Sequence, residues 1–331
     1  MDLRKIPPVH TPEKLLDIAF RRASKEAGKV QARNRLLRRK RAEERRVRES
    51  ARYITGYLSR LERLGEMINE SPPFYRQLVD IVIGMEGITK SLDRVAWARR
   101  NIERGQERAR QAIRMSKGGP VELRKDFYGK TASILGKIGA ELEFLSNARA
   151  RLRELPTIKE GFTVVIAGMP NVGKSTLLKA LTGSKPRIES YPFTTKRILL
   201  GYMERGHRRV QVIDTPGLLD RPLSERNPIE RQAVLALKEL SHLILFIFDP
   251  TPACGFTIGS QLRLYREVAG DFGKVIPVVN KTDVAEEKAL KELEQEVGRR
   301  ALRCSAKEGD VGEVAEAIFT YQGKGSIQAP P

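Results

Sequence analysis

A chain of 331 residues with 40% hydrophobic content can bury two cores of its own, which excludes a disordered polypeptide. It carries 61 Lys and Arg against 41 Asp and Glu, a formal net charge of +20, which argues against a cationic partner and for an anionic one. Two cysteines, Cys254 and Cys304, make no disulfide framework and fit a reducing, cytoplasmic compartment.

In chain order, residues 11–160 read as helical. "TPEKLLDIAFRRA" opens with Thr11 as N-cap, Pro12 at the first helical position and Glu13 in the first turn. Amphipathic stretches follow near 28–68, 74–84, 87–116 and 120–154, with Ser71-Pro72-Pro73 and Gly118-Gly119-Pro120 as turn signals. Val95, Trp97, Ile102, Ile113, Ile134, Leu135, Ile138 and Leu142 fall on inward-facing positions. This pattern predicts an antiparallel all-α bundle over residues 1–160.

The charge is concentrated in this part. Residues 1–160 hold 37 Lys and Arg against 21 Asp and Glu, whereas residues 161–331 hold 24 against 20. The densest run is "RNRLLRRKRAEERRVR", Arg33 to Arg48. Surface ion-pair networks would balance the signs, so the imbalance points to nucleic acid as partner. A membrane surface fits less well, because the run lacks a bulky apolar face rich in Trp or Phe. No N-terminal apolar stretch resembles a signal peptide, and the longest apolar run, Leu243 to Phe248, is too short to span a bilayer.

At Gly161 the period changes. "FTVVIAG" reads as a buried strand, then comes "MPNVGKST", then a helix. Gly168, Gly173, Lys174 and Ser175 meet the pattern G-x-x-x-x-G-K-[ST]. Its loop wraps nucleotide phosphates with backbone N–H groups, here those of Asn171, Val172, Gly173, Lys174, Ser175 and Thr176. Lys174 reaches the β- and γ-phosphates and the Ser175 hydroxyl binds Mg²⁺. Next, "RILLGYM" and "RVQVID" suit a hairpin, and "HLILFIFD", "GKVIPVVN" and "RALRCSA" give further strands. Helices near 228–240, 258–269, 285–298 and 310–321 alternate with them. The prediction is a mostly parallel, doubly wound sheet over residues 161–322, an α/β P-loop domain, followed by a flexible tail over 323–331.

Four short motifs stand in order after the loop, most of them behind an apolar strand. "YPFTT" (191–195) offers a Thr to Mg²⁺ and the γ-phosphate. "DTPG" (214–217) offers Asp214 to Mg²⁺ through water and the Gly217 N–H to the γ-phosphate. "NKTD" (280–283) offers Asn and Asp side chains to a purine edge. The Asp283 carboxylate accepts from guanine N1–H and N2–H₂, a donor pair adenine lacks. "CSAK" (304–307) ends the next strand, where backbone N–H groups face the guanine O6.

These motifs, in this order and spacing, resemble a translation-factor-class GTPase domain, and in detail the Obg group. "DRPLSERNPIERQAVLALKEL", "LRELPTI" and "PPFYRQLVDIVIG" resemble the nucleolar GTP-binding (Nog) family specifically, in its short, archaeal-type form, across nearly the whole chain. The resemblance implies GTP and GDP as ligands and Ser175 and Thr195 as Mg²⁺ ligands, with Asp214 behind them. Lys174, Thr195 and Gly217 would act on the phosphates, Asn280, Lys281 and Asp283 on the base, and Ser305, Ala306 and Lys307 would close over it. It further implies the large ribosomal subunit or its precursor as partner, with ribosomal RNA gripped by the Arg33–Arg48 region.

Leu218 stands where Ras-like GTPases orient water with Gln, so slow intrinsic hydrolysis is expected. Asn171 matches the asparagine that holds K⁺ in potassium-activated relatives, which makes it a candidate K⁺ ligand. The competing reading is a nucleotide-gated RNA-binding scaffold with negligible hydrolysis; a membrane-associated GTPase is the third. His10, His207 and His242 lack metal-ligand partners at sensible spacing, and Cys304 reads as a small buried residue.

Overall fold

The computed structural model describes residues 6–116, 118–159, 161–183, 186–191, 197–221 and 225–325. It divides into two compact units, Met1–Arg153 and Glu154–Pro331.

The first unit is helical: α1 (Pro12–Gly28), α2 (Arg35–Asn69), α3 (Pro73–Val82), α4 (Met85–Met115), α5 (Pro120–Gly136) and α6 (Gly139–Leu152). Thr11 caps α1 by accepting from the Lys14 N–H, and Asn34 caps α2 by accepting from the Leu36 N–H at 2.7 Å. The long α2 packs on α1, α4 and α5, and α4 also packs on α5 and α6. The core between them holds Leu15, Ile54, Leu58, Leu61, Ile88, Val95, Ile102, Ile113, Leu135 and Leu142, each under 3% exposed. Each such side chain contributes about 1.5–3 kcal/mol by leaving water. Trp97 and Ile134, expected inside, are half-buried. The Trp97 face is covered by the Arg94 guanidinium at 4.8 Å, a contact that suits a partly wet indole. The expected single helix over 120–154 is two helices, broken at Lys137 and Ile138 between Gly136 and Gly139, where glycine favours a stop.

The second unit is a seven-stranded sheet with helices: β1 (Thr163–Ala167), α7 (Lys174–Thr182), β2 (Arg187–Glu189), β3 (Ile198–Arg205), β4 (Arg208–Asp214), α8 (Pro228–Leu240), β5 (Leu243–Phe248), α9 (Ile258–Phe272), β6 (Val275–Val279), α10 (Glu287–Val297), β7 (Leu302–Arg303) and α11 (Gly312–Gly325). The strand order is β2-β3-β4-β1-β5-β6-β7. The pairs from β4 through β7 are parallel, while β2–β3 and β3–β4 are antiparallel. The β3–β4 hairpin turns through Gly206 and His207, with Gly206 at φ 57° as such a tight turn requires. Strand β5, LILFIF, is buried along its whole length, as a central parallel strand must be. The edge strand β2 is three residues with no hydrophobic run, so no period announces it. Helix α11 runs to Gly325, three residues into the expected tail; residues 326–331 lie outside the described residues. Strand β1 sits at the centre, between β4 and β5, so the loops after β1, β4, β5, β6 and β7 gather along one sheet edge.

Candidate functional site

The loop after β1 is shaped by backbone that only certain residues accept. Gly168 has φ +139°, and a Cβ there would lie 2.6 Å from the Ile247 carbonyl oxygen. Gly173 has φ +99°, and a Cβ there would lie 2.2 Å from Asn280 Nδ2. Between them Asn171 adopts φ 63° and is exposed, while Val172 is fully buried and anchors the loop. Helix α7 then begins at Lys174, so its first-turn N–H groups, including those of Lys174, Ser175 and Thr176, open onto the loop. Lys174 is only 7% exposed, and its Nζ donates to the Gly168 and Met169 carbonyls at 2.8 and 2.7 Å.

Behind the loop the Ser175 hydroxyl donates to Asp214 Oδ2 at 2.5 Å. Asp214 ends β4 and is completely buried; its Oδ1 has no hydrogen-bond partner among the described residues. Burial pushes its carboxyl above the ordinary range, against the opposing pull of the Ser175 hydroxyl and the Lys174 ammonium. A buried carboxylate with one idle oxygen beside a serine hydroxyl fits a divalent cation and its water shell. Thr195, the other expected metal ligand, and Thr194 lie outside the described residues.

Gly217, at φ 80°, donates its N–H to Asp220 Oδ2 at 2.8 Å. Leu218 is 1% exposed, its side chain packed into the fold. The neighbouring Leu219 carbonyl accepts from the Gly168 N–H at 3.0 Å, which ties this segment to the phosphate loop.

Asn280, just after β6, acts as a strut. Its Nδ2 donates to the Val172 carbonyl at 2.9 Å, and its Oδ1 accepts from the Ala306 N–H at 3.0 Å. One buried amide thus joins the phosphate loop to the loop after β7. Lys281, at φ 61°, pairs through its ammonium with Asp249, a fully buried carboxylate at the end of β5. Asp249 also accepts from the Thr251 N–H and hydroxyl at 2.9 and 2.7 Å. Asp283 is exposed, and the Ser305 hydroxyl donates to its Oδ1 at 2.6 Å. Ser305 is itself fixed by reciprocal backbone hydrogen bonds with Asp310 at 3.0 Å. Lys307 is exposed on the same loop.

The expected residues from four loops therefore converge at the strand ends. Asp220, Asp249 and Arg226 were not singled out from the sequence, because their partners lie on other loops or across a turn. The one available signal was Asp249 ending an apolar strand, as Asp214 does. The described residues hold no group of three or more His, Cys, Asp or Glu side chains placed to hold a metal ion. His242 Nδ1 accepts from the Thr163 N–H at 3.2 Å, a packing role. Burial pushes the Cys304 thiol up to about 12, which makes it a poor nucleophile. Gly173→Ala combines a forbidden φ with a collision at the Asn280 strut. We expect it to cost about 1–3 kcal/mol of stability and most of the nucleotide affinity, as thermal denaturation and a binding titration would read.

Residues 3–159 match the family model described as the NOG1 N-terminal helical domain, and residues 163–281 match the one described as 50S ribosome-binding GTPase. An uncharacterized protein of Methanocaldococcus jannaschii is 41% identical over 87% of this chain and 83% of its own length. The nucleolar GTP-binding protein 1 of Eremothecium gossypii is 35% identical over 70% of this chain. The chain belongs to the Nog family. It is a GTP-binding protein of that family with a GTPase domain. The match spans only 37% of the length of the Eremothecium Nog protein and 36% of that of Saccharomyces cerevisiae. A crystal structure of a putative nucleolar GTP-binding protein 1 from Plasmodium falciparum is 27% identical, covers 53% of this chain and 93% of that one, and gives a TM-score of 0.45.

Proposed function

We propose that this chain hydrolyses GTP to GDP and phosphate as a conformational switch, and that its basic helical domain, residues 1–160, reports the bound state to RNA of the large ribosomal subunit or its precursor. The observation that carries the nucleotide half is the Asn280 strut, which joins the phosphate loop to the loop that orients Asp283.

In this reading the phosphates lie at the N-terminus of α7, over the N–H groups from Asn171 to Thr176. The Lys174 ammonium exchanges the Gly168 and Met169 carbonyls for the β- and γ-phosphate oxygens. Ser175 and Thr195 would hold Mg²⁺, with Asp214 accepting from its water; the ion supplies positive charge across the phosphates. Gly217 presents its N–H to the γ-phosphate. Asp283 accepts from guanine N1–H and N2–H₂, and Ser305 keeps that carboxylate turned to the base. Asn280, Lys281, Ala306 and Lys307 build the walls of the base pocket.

Leu218 cannot hold the attacking water by a hydrogen bond, so hydrolysis by the isolated chain is slow. A K⁺ at the exposed Asn171 would supply charge where an arginine finger otherwise does. Phosphate release should then run faster in KCl than in NaCl at matched ionic strength; equal rates exclude this role. The experiment for the nucleotide reading is titration with GDP, a non-hydrolysable GTP analogue and ATP, with and without Mg²⁺. Tight, guanine-restricted, Mg²⁺-dependent binding supports it, and equal binding of ATP removes it. A second reading, a nucleotide-gated scaffold with negligible hydrolysis, draws on the same Leu218, and turnover near zero on ribosomal particles would favour it.

The RNA half draws on how the Arg33–Arg48 run divides. Arg45, Arg46 and Arg48 pair with Glu26, Glu43 and Glu49 inside the helical unit. Arg33, Arg35, Arg38, Arg39 and Arg41, on the first turns of α2 and just before it, are exposed and make no ion pair among the described residues. These unpaired guanidinium groups suit phosphate contacts. Among the described residues no helix is long and apolar enough to cross a membrane. A cytoplasmic site of action accords with ribosomal RNA as partner.

A further inference from the structure

Two charged residues that ordinarily face water are buried beside Gly217. Asp220 and Arg226 are each 8% exposed, and the Arg226 side chain is only 2% exposed. Both grip the backbone of one residue, Gly217, on its two sides. The Asp220 carboxylate accepts from the Gly217 N–H at 2.8 Å, while Arg226 Nη1 donates to the Gly217 carbonyl at 3.1 Å. Arg226 Nη2 lies 3.5 Å from Asp220 Oδ1 and closes the triangle. Arg226 Nε is buried without a partner among the described residues. Burial, and then the nearby Arg221 charge, lower the Arg226 pKa, so the guanidinium is held here at a cost that its two acceptors offset.

Gly217 has one N–H. An oxygen of the γ-phosphate and an oxygen of the Asp220 carboxylate cannot both lie in line with it at hydrogen-bond distance. Two anions so placed also repel. GDP has no γ-phosphate and leaves the Asp220 contact intact. GTP must displace it, and must part the carboxylate from the position in which Arg226 holds it.

We propose that Asp220, held in place by Arg226, is a specificity-determining residue of the nucleotide site: its carboxylate occupies the position of a γ-phosphate oxygen on the Gly217 N–H and sets the preference for GDP over GTP. This rests on the guanine-nucleotide reading above and adds to it a built-in competitor for the triphosphate. The connection carries further. Leu219, next to Asp220, accepts from the Gly168 N–H of the phosphate loop, and Arg226 directly precedes Asn227, whose side chain caps α8 by accepting from the Glu230 N–H at 2.8 Å. Displacing the carboxylate therefore perturbs both the loop and the start of a helix.

The test compares affinities for GDP and for a non-hydrolysable GTP analogue, in Mg²⁺, for the wild-type chain and for Asp220→Asn, Asp220→Ala and the double variant Asp220→Ala with Arg226→Gln. The double variant avoids leaving a buried guanidinium without its carboxylate. The analogue should bind about ten-fold more tightly once the charge-assisted competitor is gone, with Ala at least as effective as Asn. GDP affinity should stay within about two-fold, which also reports that the site is folded. Unchanged or weakened analogue binding beside normal GDP binding overturns the proposal. So does an equal gain for both nucleotides, which would make Asp220 a general source of repulsion. Loss of GDP binding in all three variants would make the pair a structural brace and overturn it as well. If the wild-type chain binds neither nucleotide, the guanine-nucleotide reading itself fails, a result distinct from each of these.

Discussion

Asp283→Asn should exchange guanine for xanthine preference. The carboxylate of Asp283 is an acceptor at both oxygens when ionised, and guanine presents two donors, N1–H and N2–H₂. Ser305 already donates to Oδ1, which fixes the carboxylate plane and leaves Oδ2 and the second lone pair of Oδ1 for the base. An asparagine turns one acceptor into a donor. Guanine N2–H₂ then faces an N–H, and an unmet buried donor pair weakens binding. Xanthine carries a carbonyl at that position and keeps N1–H, so it meets the amide with both groups satisfied. Hydrogen bonds to charged groups contribute about 1.5–3 kcal/mol each, so guanine affinity should fall by roughly ten- to a hundred-fold or more, with xanthine nucleotides gaining by a similar factor. Competition between GDP and xanthosine diphosphate reads this directly. Retained guanine preference would take Asp283 out of the base pocket.

Reversing Arg38, Arg39 and Arg41 to Glu should abolish RNA binding at physiological salt and leave nucleotide affinity unchanged. These three side chains are exposed on the first turns of α2 and take part in no ion pair among the described residues, so the helical unit does not depend on them. Each lost phosphate contact removes about one released counterion, so the slope of log affinity against log salt should flatten by roughly three. Glutamates at the same positions repel phosphate, which deepens the loss. Reversing Arg46 is the contrasting control. It pairs with Glu43, which also meets Arg124 on α5 at 2.5 Å, so its reversal should destabilise the bundle. If the triple variant binds RNA normally, the start of α2 is not the contact face. If it loses liposome binding instead, the anionic partner is a membrane; exposed Leu36 and Leu37 lie in the same stretch.

Much of this architecture is legible in the residues. The parallel strands announce themselves as apolar runs, and glycine signals the loop after β1 because only glycine tolerates Gly168 and Gly173 backbone. Helix starts are written in Thr11 and in the prolines that follow turns, whereas α2 starts at Arg35 behind Asn34, well past the stretch expected from near residue 28. The site motifs are readable because each is a short run at a strand end, and the sheet brings strand ends together whatever the helices between them look like.

What the sequence conceals is pairing across loops. Nothing local says that Asn280 ties Val172 to Ala306, that Lys281 rests on Asp249, or that Asp220 caps Gly217. The same holds for charge. The Arg33–Arg48 run looks uniform, but glutamates at Glu26 on α1 and at Glu43 and Glu49 within α2 neutralise its second half. Sequence counting sees net charge and not which arginines remain unpaired. Strand β2 and the break between α5 and α6 escaped for a simpler reason, since three residues and one turn are shorter than any period that would reveal them.

The most direct measurement is sedimentation of the purified chain with large ribosomal subunits, in GDP or a non-hydrolysable GTP analogue, at two salt concentrations. A switch that reports to ribosomal RNA predicts co-sedimentation with the triphosphate form, weakened by GDP and by salt. Binding that ignores the nucleotide would contradict the switch and favour the scaffold, and no binding at low salt in either state would contradict the ribosomal partner altogether.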